Sequence, residues 1–177
     1  MTESPFEAVL VGFMGAGKTA VGKTAARLTG AEFVDIDALI EADAGKLVSE
    51  IFHALGEAGF REIERRLVRQ AVAAPGRIIA TGGGAFLDPV NRSLLKSYGP
   101  VVHLDVSPEN VLRRVGKDDK RPLLRGEDRE KKVRALMAHR RTAYEEADIT
   151  ISTDNKSIPQ VAALVVSQVA RSRGGAR

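Results

Sequence analysis

Ala8-Val-Leu-Val-Gly12-Phe-Met-Gly-Ala-Gly17-Lys18-Thr19 decides the fold. Its aliphatic start reads as a strand candidate, Ala8–Gly12, of the kind buried on both faces in a parallel sheet. From Gly12 to Thr19 the chain matches G-x-x-x-x-G-K-[ST], and Lys18–Leu28 then reads as a helix. Glycines let backbone N–H groups wrap phosphate oxygens without side-chain clash, and the helix that follows aims its N-terminal dipole at the anion. Lys18 is placed to reach the β- and γ-phosphates and the Thr19 hydroxyl to ligate Mg²⁺. The same pattern recurs in register with itself at Gly17–Thr24. That second match would have to follow Phe13–Ala16, which is no strand, and would break the helix. Gly22 is therefore read as a small residue for close helix–sheet packing, and Lys23 as a solvated side chain.

Outward from this loop, apolar runs alternate with helical patterns. The further strand candidates are Glu32–Asp35, Arg77–Ala80, Val101–Asp105 and Asp148–Ser152. Helix candidates are Val48–Leu55, Glu57–Ala73, Pro89–Tyr98, Pro108–Val115, Arg129–Ala147 and Ser157–Arg171, with SRGGAR at the end read as a frayed tail. The alternation predicts a three-layer α/β/α fold with a five-stranded parallel sheet. No repeat or linker divides residues 1–177, so a single P-loop kinase domain is expected, with a helical substrate-binding region at about 37–64. The charged stretch at 116–128, GKDDKRPLLRGED, has glycines near both ends and suits a closing lid.

Composition narrows the chemistry. The chain contains no cysteine, which excludes disulfides and thiolate metal sites. His53, His103 and His139 lack ligand spacing and read as surface or core residues. The N-terminal MTESPFE lacks an apolar signal core, and no apolar run is long enough to span a bilayer, so a cytoplasmic protein without a membrane partner is expected. A net charge of +4 with only 5% aromatic residues, and no groove-reading motif, argues against nucleic acid and suits small anions.

Five further stretches choose among phosphate binders. Asp35-Ile-Asp37 closes the second strand candidate, at the sheet edge where open α/β folds bind ligands. One carboxylate would hold Mg²⁺ through water and the other accept the proton of an attacking hydroxyl; alternatively, Asp37 caps the next helix. Gly59-Phe-Arg61-Glu-Ile-Glu64 follows, with Glu64 spaced to orient Arg61 along a helix. Thr81-Gly82-Gly83-Gly84-Ala85 places three glycines after the third strand, as N–H donors or as a turn. Arg121-Pro-Leu-Leu sits in the charged segment, and His139-Arg140-Arg141-Thr-Ala-Tyr144 late in the helix after it.

In this order the motifs GFMGAGKT, DID, GFREIE, TGGGA and RPLL resemble the shikimate kinases, nucleoside-monophosphate-kinase-like P-loop enzymes, from about Ala8 to Pro159. The resemblance implies transfer of the γ-phosphoryl of ATP to the 3-hydroxyl of shikimate by a monomer using Mg²⁺; a gluconate kinase is the alternative. It implies nucleotide contacts at Gly15, Ala16, Gly17, Lys18, Thr19, Ala20, Arg114, Arg121 and Asn155, and a metal site at Thr19 with Asp35 through water. Catalysis would fall to Asp37, Lys18 and Arg121. Shikimate would meet Asp37, Gly82, Gly83, Gly84 and a carboxylate clamp of Arg61 and Arg140, with Phe52 and Phe60 as pocket walls or core. The chain departs from the family in having Thr142 where R-x-P-x-Y carries proline, which leaves Arg141 as an alternative to Arg140. It also departs in the order Thr153-Asp154 in the adenine loop.

Overall fold

The computed structural model describes residues 5–115 and 128–174. The strands are β1 (Ala8–Val11), β2 (Glu32–Asp35), β3 (Arg77–Ala80), β4 (Val101–Asp105) and β5 (Ile149–Ser152). The helices are α1 (Lys18–Thr29), α2 (Ile36–Ala44), α3 (Val48–Val72), α4 (Pro89–Tyr98), α5 (Pro108–Val115), α6 (Arg129–Tyr144) and α7 (Ile158–Gly174). All strand pairings are parallel, in the order β2-β3-β1-β4-β5. Residues 116–127 of the lid expected at 116–128, Arg121 among them, lie outside the described residues.

Alternation along the strands divides the core. Ala8 and Leu10 of β1 join Ile78, Val102 and Leu104 in a cluster under α1 and α7. Val9 and Val11 point the other way, with Ile79 and Val101, against α2, α3, α4 and the end of α6. Helices therefore cover both faces of the sheet, as the continuous aliphatic strands require. Gly22 of α1 packs on the sheet so closely that an added methyl would land on the Phe33 ring, with Leu10 Cδ1 3.2 Å away. Gly22→Ala is expected to cost about 1–3 kcal/mol by overpacking, partly offset by better helix propensity. Urea unfolding measures it, and stability at or above wild type would refute the close packing.

The strand order switches at β1: β3 and β2 lie on one side of it, β4 and β5 on the other. The crevice beyond the carboxyl ends of such neighbouring strands is the natural ligand site of an open α/β sheet. The element bounds depart from the expected ones in several places. A helix, α2, begins directly at Ile36, without a turn after β2. A 3₁₀ turn, Ala85–Leu87, follows the glycine triplet. Helix α6 stops at Tyr144, not Ala147. Helix α7 continues to Gly174, through part of the segment read as frayed, because Arg173 donates to Pro5 O at 2.8 Å and pairs with Glu7 at 3.1 Å. The two helices expected at 48–55 and 57–73 run on as α3, broken at Gly56 (φ 67°, ψ −177°).

Candidate active site

The loop between β1 and α1 is built on left-handed glycines, Gly15 (φ 77°) and Gly17 (φ 91°). Gly12 sits against β4 so tightly that a Cβ would stand 2.5 Å from Leu104 O. No side chain caps α1, whereas Asp35 caps α2 and Asp88 caps α4. The first amides of α1 thus keep their donors for an anion, with Gly15, Ala16, Gly17 and Ala20 lining the same turn. Lys18 Nζ donates to Gly12 O at 2.8 Å and Phe13 O at 3.0 Å, folded back on the loop it serves.

The Thr19 hydroxyl donates to Asp35 Oδ2 at 2.7 Å. The other Asp35 oxygen accepts from Asp37 N at 3.0 Å and Ala38 N at 3.4 Å. Asp35, not Asp37, is therefore the helix cap, which corrects the alternative that gave Asp37 this structural task. Asp37 occupies the first turn of α2. On the far side of the loop, Arg114 bridges Gly15 O at 3.1 Å, Thr153 Oγ1 at 3.0 Å and Thr153 O at 3.0 Å. Asn155, in the left-handed region at φ 57°, follows at the same edge. Asp154 accepts from Ser107 N and Asn110 Nδ2, so the altered order in this loop ties β5 to the start of α5.

The glycine triplet has a role not visible in the sequence. A Cβ on Gly82 would stand 2.5 Å from Asp37 Oδ1, one on Gly83 2.6 Å from Arg140 Nη1, and one on Gly84 2.6 Å from Arg61 Nη2. Each glycine makes room for one charged group. The triplet gathers a carboxylate and two guanidiniums from three helices into one crevice.

Arg61 is held by Glu64, 2.7 Å away and only 1% exposed. Burial pushes the Glu64 carboxyl up; Arg61 opposes this, while Asp37 and Asp88 add to it. The Phe52 and Phe60 rings stack with centroids 4.3 Å apart, and the Arg61 guanidinium lies 5.3 Å from the Phe60 ring centre. Phe60 is buried in the core, and Phe52 packs against the same cluster.

Arg140 is 6% exposed, sits 5.3 Å over the Phe13 ring, and carries a buried Nη1 with no hydrogen-bond partner. A buried guanidinium with an unused donor is suited to receive an anionic ligand. Arg141 points outward, 79% exposed and paired with Glu145 at 2.8 Å. Of the adjacent arginines, Arg140 alone faces the triplet. Burial lowers the affinity of His103 for a proton, with Lys18 acting the same way and Asp105 opposing. Phe13 and Tyr144 were not singled out as site residues in the sequence, although Tyr144 stands one helical turn beyond Arg140, where contact with the same strand edge is expected.

Two carboxylates, two guanidiniums and a lysine thus meet at the carboxyl edge of β1–β3. Such a set can bind polyanions, fix an organic acid and take a proton from a hydroxyl. A family model described as shikimate kinase matches residues 14–170. Shikimate kinase from Geobacter sulfurreducens is 46% identical over 86% of this chain and 84% of its own. The enzyme of the same description from Symbiobacterium thermophilum is 46% identical over 91% of this chain and 94% of its own. The solved shikimate kinase from Acinetobacter baumannii in complex with shikimate superposes with a TM-score of 0.92 at 38% identity, covering 96% of each chain.

Proposed function

Since the chain belongs to the shikimate kinase family, we propose that the crevice around the glycine triplet is where it works and that its charged residues divide the labour as follows. The activity is transfer of the γ-phosphoryl group of ATP to shikimate. The observation that carries the assignment is the pairing of Gly82, Gly83 and Gly84 with Asp37, Arg140 and Arg61.

The amides of Gly15–Thr19 and the dipole of α1 bind the triphosphate. Lys18 exchanges its two carbonyl partners for phosphate oxygens, keeping its charge where negative charge builds up. Arg61 and Arg140 take the shikimate carboxylate, a planar anion matched to their forked donors. That leaves the ring hydroxyls toward Asp37, which accepts the proton of the attacking 3-hydroxyl. Arg114, fixed to the loop and to Thr153, lies where adenine would rest.

The oxygens of Thr19 and Asp35, already 2.7 Å apart, suit a hard cation such as Mg²⁺. Thr19 would bind it directly and Asp35 through water. Bound there, the ion would neutralise charge on the β- and γ-phosphates. Arg121 is assigned to the transferring phosphate, within a lid that excludes water as a competing acceptor.

Coupled measurement of ADP release tests the reading. Turnover is expected with shikimate and not with gluconate. Preference for gluconate, or no acceptor-dependent ADP, would overturn it.

A further inference from the structure

Tyr144 is 5% exposed, and its hydroxyl donates to Gly83 O at 2.6 Å, joining the end of α6 to the middle of the triplet. A phenol has one proton, and here it is spent on that carbonyl. The Arg140 guanidinium lies close enough to act on the phenol through its charge. One turn earlier on α6, the same Arg140 presents its unpartnered Nη1 to Gly83. The hydroxyl therefore bonds one side of a gap too narrow for a Cβ and stands near the charge on the other. The Tyr144 ring is held separately: it stacks on His103 with centroids 4.8 Å apart.

We propose that Tyr144 is a positioning residue for the acceptor, its hydroxyl fixing the distance between the Gly83 backbone and the Arg140 guanidinium so that Arg140 meets the substrate carboxylate. This rests on the reading of Arg140 as a carboxylate clamp. It touches neither nucleotide nor reacting atoms. Removing the hydroxyl leaves the Gly83 carbonyl without its donor, and the triplet and guanidinium settle at a different spacing. The loss falls on acceptor binding. Phosphate binding, built on α1 and the loop before it, is left alone.

The other tyrosine supplies a control. Tyr98 Oη accepts from Arg77 N at 2.8 Å and donates to Arg77 O at 3.2 Å, at the opposite end of β3 from the triplet. Tyr98→Phe likewise removes a phenol's hydrogen bonding to the backbone, with no line to Arg140. In Tyr144→Phe, the KM for shikimate is expected to rise about tenfold, with kcat within about threefold and the KM for ATP unchanged. Calorimetric titration of shikimate without nucleotide should show the same ratio. Tyr98→Phe should lower Tm while leaving the KM for shikimate unchanged.

A wild-type KM for shikimate in Tyr144→Phe, a fall confined to kcat, or an equal KM change in Tyr98→Phe would each overturn the proposal. If wild-type enzyme neither binds nor phosphorylates shikimate, the functional reading itself fails and this role falls with it. That outcome is separate from a failure in the variants alone.

Discussion

Asp37→Asn is expected to lower turnover of shikimate by about 10²–10⁴-fold while leaving ATP affinity near that of wild type, because it removes a proton acceptor without removing volume. The position supports a large effect. Asp37 lies in the first turn of α2, where its backbone N–H is already bonded to Asp35, and its carboxylate fills the space that a Cβ on Gly82 would take. The helix cap is Asp35, so the substitution leaves α2 capped and the fold intact. The amide keeps one carbonyl acceptor and gains donors, so it can still touch a hydroxyl but takes no proton from it. Steady-state kinetics beside nucleotide titration separates the two effects. Activity within a factor of a few of wild type would remove Asp37 from proton transfer, and a parallel loss of ATP binding would mean damage at Thr19 and Asp35 instead.

Arg140→Ala is expected to raise the KM for shikimate by about 10²-fold, the usual order for deleting one partner of a desolvated charged pair. Arg141→Ala should stay within about twofold, since an exposed ion pair contributes little. The contrast follows from burial: the Arg140 Nη1 is out of water without a partner, whereas Arg141 is spent on Glu145 at the surface. Arg140 also stands over Phe13, so truncation removes packing as well as charge, and a modest fall in Tm should accompany it. Arg140→Lys should recover only part of the affinity, because an ammonium cannot form the paired donors of a guanidinium. Equal effects at the two positions, or the larger one at Arg141, would dismantle the clamp.

The β1–loop–α1 unit was legible because its signals agree: a continuous aliphatic strand, glycines where the backbone turns left-handed, and a helical run at once after Lys18. The parallel sheet followed from the other aliphatic runs. What could not be read depends on neighbours distant in sequence. Helix α7 passes the point where its composition suggests fraying because Arg173 is anchored to Pro5 and Glu7. Asp35 serves as strand end, helix cap and partner of Thr19 at once, and a reading that gives each residue one task separates these roles between two aspartates.

The site was legible as a set of residue types and obscure as a geometry. Three glycines in a row suggest donors or a turn. Only the arrival of α2, α3 and α6 at one strand edge shows that each missing Cβ is the seat of a charged group. Counting back from Tyr144 selects Arg140, and the face of α6 that meets the triplet sets the adjacent Arg141 aside. Tyr144 carries the same lesson: its hydroxyl has meaning only beside the Gly83 carbonyl.

Crystals grown with shikimate and a non-hydrolysable ATP analogue test the central assignment most directly. The account places the acid's carboxylate within hydrogen-bond distance of Arg61 and Arg140 Nη1, with a ring hydroxyl on Asp37 and turned toward the terminal phosphate above Lys18. Shikimate bound with its carboxylate away from both guanidiniums, or with no hydroxyl near Asp37, would contradict it.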